Sequence, residues 1–426
     1  VPDETGRHRA QHCAIVGGGP GGMVLAYLLA RAGVRVTLLE SRPDFRRDFR
    51  GDSLHPYTLE LMQRLGLAER LLRIEHARAT TFRFHTTSGT VTTAEYGGLR
   101  GPFPYVALMP QARFLDFLAA EAAALPGFRL LLGAKVTGVV DDGDRITGVR
   151  YRDDDGEHRL DVDLVVGADG RFSRMRRLLD LPARSLGASS DILWFRLPRR
   201  PHDPPTADAD LYFGPGHYVS TLGQEDGWQV GYTVPKGGYP AAKRAGVGPI
   251  RDFLAARVPW LADRVDQLAG FDQITLLSVE ISRVERWHRP GALLIGDAAH
   301  VISPVGGNGI LMAIQDAVTA ANVLIPALRQ DDPPGEDVLA EVRRLREPAV
   351  EQVQRQQVRT EYRVAAVLAG DGDFRPNPLL RAALRLRSVR RRAARANAYG
   401  PFPPALDTTL LDPNPDPAGG PTRRSR

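Results

Sequence analysis

Residues 12–40, HCAIVGGGPGGMVLAYLLARAGVRVTLLE, decide the fold. His12 to Val16 is a short apolar run of strand length, Val24 to Ala32 carries a helical pattern, and Val34 to Leu39 is rich in β-branched and aliphatic side chains. The predicted unit is therefore strand, glycine turn, helix, strand. Gly17, Gly19 and Gly22 satisfy G-x-G-x-x-G between the first strand and the helix. In such a turn the first glycine makes the tight bend, the second lets the backbone approach a pyrophosphate, and the third lets helix and strand pack closely. The N–H groups and positive dipole end of the helix face the same pyrophosphate. Glu40 closes the second strand, where a carboxylate hydrogen-bonds an adenosine ribose. A bare glycine pattern is weak, but strand, helix and terminal acid in register give it weight. By itself the unit does not separate NAD from FAD.

Two later stretches make that separation. Val165-Val166-Gly167-Ala168-Asp169-Gly170-Arg171-Phe172-Ser173, continued to Arg176, has the form D-G-x-x-S-x-x-R after an apolar strand. Leu294-Ile295-Gly296-Asp297-Ala298-Ala299-His300 leads into Ser303-Pro304-Val305-Gly306-Gly307-Asn308-Gly309 and a helix. With three motifs in this order, the chain resembles the class A flavoprotein monooxygenases, the para-hydroxybenzoate hydroxylase family, over residues 11–330.

The resemblance implies FAD as the bound cofactor and NADH or NADPH as a transient co-substrate at the surface of the FAD domain. It puts Asp297 on the ribityl chain of the flavin, a role that suits a carboxylate at the end of a buried strand, which needs hydroxyl partners to offset its desolvation. It aims the N–H groups of the helix opening at Gly307 to Gly309, after Pro304 and beside Asn308, at the N1 and O2 side of the flavin, where reduction develops negative charge. Asp169 belongs to a segment serving both FAD and the nicotinamide donor, supported by Arg176; tying its own loop together is the competing role. Arg50 and Gln111 match family positions that reach the cofactor, although each also fits a plain surface or capping residue. Many relatives carry Asn where this chain has Leu311, so a polar contact is either absent or supplied by Asn308. Asp316 fits the family's helix in a structural role, and His300 reads as part of its loop.

The fold class expected is α/β: a Rossmann-like FAD-binding domain, a second, sheet-based substrate domain and C-terminal helices. The FAD domain is expected to be discontinuous, over 1–75, 111–181 and 286–330. Stretches 76–110 and 182–285, with aromatic and β-branched segments such as Ile192 to Leu197 and Trp228 to Val234, form the substrate domain. Asp142-Gly143 and Asp155-Gly156 mark hairpins, so residues 134–166 are expected to be a small antiparallel meander. Residues 331–400 form a helical region, and 401–426 a Pro-rich, mostly disordered tail.

Composition bounds the partners. The 426 residues are 43% hydrophobic and 25% charged, as in ordinary soluble proteins, and suffice for two or three domains. The lone cysteine, Cys13, makes no intrachain disulfide, which together with the absence of an apolar leader points to a reducing cytosol. No apolar run is expected to approach the length of a membrane span. The formal charge of +6 is spread along the chain apart from a cluster at Arg381 to Arg395, read as a solvated helix face and not a nucleic-acid surface. The ten histidines show no metal-ligand spacing, so no metal site is expected. No G-x-S-x-G elbow occurs, and Gly246-Val247-Gly248 follows a charged helical stretch, which leaves no second dinucleotide fingerprint.

The expected activity is a monooxygenase that uses NAD(P)H and O2, through a flavin C4a-hydroperoxide, to hydroxylate or epoxidise an aromatic or polyketide-like small molecule lying between flavin and second domain. Trp194, Arg196, Tyr218 and Tyr232 sit on strands able to face that crevice, with core packing as the competing fate of each. No catalytic residue is assigned, and the oligomeric state stays open. Dehydrogenation or a non-redox cyclisation on the same fold, and a non-enzymatic FAD-bearing module, remain alternatives.

Overall fold

The computed structural model describes residues 11–46, 52–204, 208–224, 227–304, 306–369 and 377–413. Its principal elements begin with β1 (His12–Val16), α1 (Pro20–Arg31), β2 (Arg35–Glu40) and α2 (Pro56–Arg64). The hairpin β3 (Thr81–Thr86) and β4 (Gly89–Glu95) precedes α3 (Gln111–Ala123) and β5 (Phe128–Leu132). Next come β6 (Lys135–Asp141), β7 (Ile146–Asp153), β8 (Gly156–Asp161), β9 (Leu164–Gly167) and α4 (Arg174–Leu178). Then follow β10 (Ser190–Pro198), β11 (Ala209–Gly214), β12 (His217–Gly223), β13 (Gly227–Pro235), α5 (Gly248–Arg257), β14 (Thr275–Ser278) and β15 (Ala292–Leu294). Four helices complete the chain: α6 (Gly309–Ala327), α7 (Glu336–Leu368), α8 (Pro378–Ala383) and α9 (Arg387–Tyr399).

Five parallel strands in the order β15, β9, β1, β2, β5 form the first sheet, with His288–Arg289 antiparallel on the β15 edge. Strands covered on both faces have no solvent side to alternate towards, which is why β1, β9 and β15 are almost continuous aliphatic runs. The register matters for function. Val16 lies opposite Gly167, and Gly167 opposite Leu294, so three carboxyl ends stand side by side. The Ala168 amide donates to the Val16 carbonyl at 2.7 Å and the Ile295 amide to the Gly167 carbonyl at 2.9 Å, carrying the pairing into the loops that follow. β6, β7 and β8 form the expected antiparallel meander, which ends at Asp161; β9, from Leu164, belongs to the parallel sheet.

The second sheet runs β14, β10, β13, β12, β11, β3, β4, antiparallel except for the β11–β3 pair. Its back face, with Leu193, Phe195, Trp228, Val230 and Tyr232, packs against α5 and the turn at 259–267. Its front face turns towards the parallel sheet.

Two expectations need correction. The apolar run Gly309–Ala327 is long and apolar enough to cross a membrane. It is instead enclosed by protein, with Gly21 of α1 so close that an added Cβ would lie 3.0 Å from the Ala313 carbonyl oxygen; a helix apolar all round is also what a protein core demands. The proline-rich end is ordered as far as it is described. Tyr57 Oη donates to the Pro404 carbonyl at 2.8 Å, Asn322 Nδ2 to Ala405 at 2.8 Å and Arg329 Nη2 to Leu410 at 2.9 Å, while Leu406 and Leu411 are buried. Side chains elsewhere satisfy the backbone that prolines leave unpaired. Residues 414–426 lie outside the described part.

The basic cluster divides. Arg390 pairs with Glu95 at 2.9 Å and Arg381 donates to the Ser88 carbonyl at 2.8 Å, docking α8 and α9 on the β3–β4 hairpin, while most of its neighbours are exposed.

Candidate functional site

The glycine turn after β1 is shaped by three different steric demands. Gly17 has φ +109°, and a Cβ there would lie 2.5 Å from the Ala168 carbonyl oxygen, so this position bends left-handed against the neighbouring loop. A Cβ on Gly22 would come within 2.1 Å of the Gly17 carbonyl oxygen, which makes it the helix-to-strand contact. A Cβ on Gly19 would meet no protein atom within 4 Å. Gly19 faces open space, at the N-terminus of α1 that no side chain caps. Glu40 first serves the turn itself: Oε2 accepts from the Gly18 amide at 3.0 Å and Oε1 from the Arg42 amide at 3.0 Å.

The second loop is organised by its acid. Asp169 accepts from Ser173 Oγ at 2.5 Å and from the amides of Arg174 at 2.6 Å and Met175 at 2.9 Å, while Ser173 Oγ accepts from the Arg176 amide at 2.9 Å. Asp169 and Ser173 therefore cap α4 together, which is the loop-tying role. Arg176 bridges to the third loop, donating to Ala298 at 3.3 Å as well as to Arg171 at 2.9 Å.

In the third loop, Gly296 (φ +60°) makes the turn that presents Asp297. Behind it stands Asp316 of α6, whose Oδ2 accepts from the Gly296 amide at 2.9 Å and from His300 Nε2 at 2.6 Å, and whose Oδ1 accepts from Arg346 Nε of α7 at 2.8 Å. Burial opposes ionisation there, but the His300 and Arg346 charges and their hydrogen bonds hold Asp316 down to about 2. Gln357 of α7 grips Ser303 at both backbone groups, accepting from its amide at 2.8 Å and donating to its carbonyl at 3.0 Å. The sequence reading missed Arg346 and Gln357. Their signal was that the buried helical repeat of Leu339, Val342, Ala349, Val350 and Val353 continues through polar residues.

Gly17, Gly19, Glu40, Gln111, Asp169, Asp297, Pro304, Gly307 and Gly309 all line one cleft of about 710 Å³. Gly22 and Asn308 are not among its lining residues. Gly22 is packed behind the turn, and Asn308 sits at the start of α6 with its side-chain oxygen buried and without a partner. Arg50 lies outside the described residues. Leu311 is fully buried in the core and does not line the cleft.

The same cleft continues onto the front face of the second sheet, where Ile192, Trp194, Tyr218 and Leu222 line it. Gly231 makes room for Trp194: a Cβ on that glycine would lie 2.8 Å from the indole. Tyr232 is on the back face against His217 and Phe253, and Arg196 is exposed, so neither lines the cleft. Where loop and sheet meet, Asp52 accepts from the Gln111 amide at 3.2 Å and from the Gln224 side chain. Burial pushes Asp52 up to about 6 against the lowering effects of these bonds and the Arg196 charge. His55, also on the cleft, donates from Nε2 to the Gly307 carbonyl at 3.3 Å and leaves Nδ1 unpartnered; burial pushes it down to about 4.

A family model described as an FAD binding domain matches residues 10–357. A 6-methylpretetramide 4-monooxygenase from Streptomyces rimosus is 36% identical over 360 residues, covering 84% of this chain and 84% of the relative. A rifampicin monooxygenase from Streptomyces venezuelae is 30% identical over 326 residues, covering 71% of this chain and 61% of its own. The crystal structure of PqsL from Pseudomonas aeruginosa in complex with 2-aminobenzoylacetate superposes with a TM-score of 0.72 at 24% identity, over 84% of this chain and 99% of that one, a likeness of fold.

Proposed function

From the premise that the chain belongs to the class A FAD-dependent flavoprotein monooxygenases, we propose that it oxygenates a polycyclic phenolic or polyketide-like small molecule held between the flavin loops and the front of the second sheet. It is an FAD-dependent oxidoreductase with NAD(P)H as co-substrate. Among the alternatives that the sequence left open, oxygen transfer is the one its relatives carry.

The residues fit the cofactor on grounds of shape and chemistry. A cradle at Gly19 stands open where a side chain would fill it, an uncapped helix N-terminus faces it, and acids stand at both ends of the row of loops. When bound, FAD supplies hydride acceptance from the nicotinamide and activation of O2. The chain's own contribution is binding, orientation and exclusion of water. Gly17 to Gly19 and the α1 N-terminus would hold the pyrophosphate, Glu40 the adenosine ribose, and Asp297 the ribityl hydroxyls. The α6 N-terminus at Gly309 would stabilise negative charge at the pyrimidine end of the ring, an effect of about 0.3–1 kcal/mol. Trp194 and Tyr218 give the opposite wall a flat aromatic character suited to fused rings.

The observation that carries this proposal is the continuity of one cleft from the three carboxyl-end loops to the sheet bearing Trp194. A reducing cytosol is its compartment, keeping the buried Cys13 a thiol. The test is anaerobic reduction of the yellow protein by NADPH with and without a polycyclic phenol such as anhydrotetracycline, then admission of ¹⁸O₂. Label in the product supports oxygen transfer; turnover without label refutes it.

A further inference from the structure

Helix α7 touches both walls of the cleft from behind, and the contact converges on one carboxylate. Glu361 is only 4% exposed. Its Oε1 accepts from Ser303 Oγ at 3.0 Å. Its Oε2 accepts from the Ser189 amide at 3.1 Å and from Ser190 Oγ at 3.3 Å, and the single Ser189 hydroxyl proton is shared between Oε2 at 2.8 Å and the Glu361 main-chain carbonyl at 2.7 Å. Ser303 lines the cleft immediately before Pro304 of the third loop. Ser190 opens β10, whose Ile192 and Trp194 line the opposite wall. Each carboxylate oxygen is thus committed to a different wall. Burial and then the charge of Glu361 push the phenol of Tyr218 up, which places that charge within electrostatic reach of the sheet face.

We propose that Glu361 is a positioning residue that couples the flavin-binding loop at Ser303 to the substrate-facing strand at Ser189 and Ser190. An ionised carboxylate accepts at both oxygens and carries no donor, so it matches four donors at once; an amide in its place would turn N–H groups towards hydroxyls and a backbone amide on one side. With water shut out, neither end can let go without leaving a buried polar group unpaired. A shift of Ser303 when the cofactor seats is therefore passed to the start of β10. The inference rests on FAD occupying this cleft.

The test is hydrogen–deuterium exchange on the full chain, as apoprotein and saturated with FAD, for the wild type, Ser303→Ala and Glu361→Gln. Ser303→Ala removes one hydroxyl and keeps both Gln357 bonds to the backbone, so it reports even where Glu361→Gln fails to fold. In the wild type FAD slows exchange at both 302–309 and 189–194. In the variants protection at 302–309 persists, while the FAD-induced protection at 189–194 falls about fivefold or more. A purely structural role would speed exchange at 189–194 equally with and without FAD, and leave the FAD effect intact; that result overturns the coupling. So does wild-type protection of 302–309 without 189–194, which leaves the cofactor site standing. Absence of FAD protection at both segments in the wild type overturns the cofactor site and the coupling with it.

Discussion

His300 Nε2 and Asp316 Oδ2 lie 2.6 Å apart in a site where both side chains are at most 2% exposed, and Arg346 closes the other side of the carboxylate at 2.8 Å. Removing one partner of a buried ion pair typically costs about 3–5 kcal/mol. Asp316→Asn is expected to lose stability of that order and to bind FAD more weakly, because the Gly296 amide loses its anionic acceptor. Thermal unfolding and FAD titration measure the two effects. The pH dependence follows in sign: Asp316 is held below the usual 3.8, at about 2. Its contribution is thus fully present above about pH 4 and lost as pH falls through the folded value. A variant whose stability difference from the wild type does not shrink between pH 4 and pH 2 contradicts this.

Asp52 works the other way. Its folded value near 6 lies above the usual 3.8, so the folded apoprotein holds this proton more tightly than the unfolded chain does. The associated stability is present below about pH 4 and lost as pH rises through 6. Asp52→Asn should therefore be the more heat-stable protein at pH 8, by roughly 1–3 kcal/mol. The advantage should vanish below pH 4, and equal melting temperatures at pH 8 would refute the assignment.

The second and third glycines of the fingerprint separate binding from folding. Gly22→Ala forces a Cβ against the Gly17 carbonyl oxygen, and overpacking of this kind costs about 1–3 kcal/mol or more. Gly19→Ala meets no protein atom, and its φ of −73° suits alanine. Gly22→Ala should melt lower even as apoprotein. Gly19→Ala should melt like the wild-type apoprotein and bind FAD about tenfold or more weakly, roughly 1.4 kcal/mol. An unaltered FAD dissociation constant in Gly19→Ala would place the pyrophosphate elsewhere.

Gly231→Ala is expected to act on the substrate alone. Its methyl group would displace the Trp194 indole, 2.8 Å away, from its seat on β13 into the cleft. KM for a fused-ring substrate should rise and tryptophan emission should change, with FAD affinity within about twofold of wild type. A parallel fall in FAD affinity would show that the sheet face and the cofactor loops are not separable in this way.

The βαβ unit was legible because its signals are local: apolar runs, turn glycines and a terminal acid within one short segment. The strand Phe128–Leu132 and the meander hairpins were legible for the same reason. The wall proposed for the substrate was not. Alternation along β10 separates Trp194 from Phe195, but both faces of this sheet are apolar, so parity alone does not say which one meets the cofactor. Tyr232 and Tyr218, equally plausible in sequence, ended on opposite faces. Residues 401–413 looked disordered because proline content was weighed without the side chains of Tyr57, Asn322 and Arg329 that hold them.

The chain sequence by itself determined that a dinucleotide turn, a D-G loop and a G-D loop each follow an apolar strand, since strand, turn and helix propensities act between near neighbours. Only the tertiary structure decided that those strands stand adjacent and in register, that Glu40 and Asp169 also brace their own loops, and that Arg346, Gln357 and Glu361 of a distant helix hold the third loop from behind. The physical reason is that a buried polar group must find its partner wherever the fold supplies one, and sequence separation places no limit on that search.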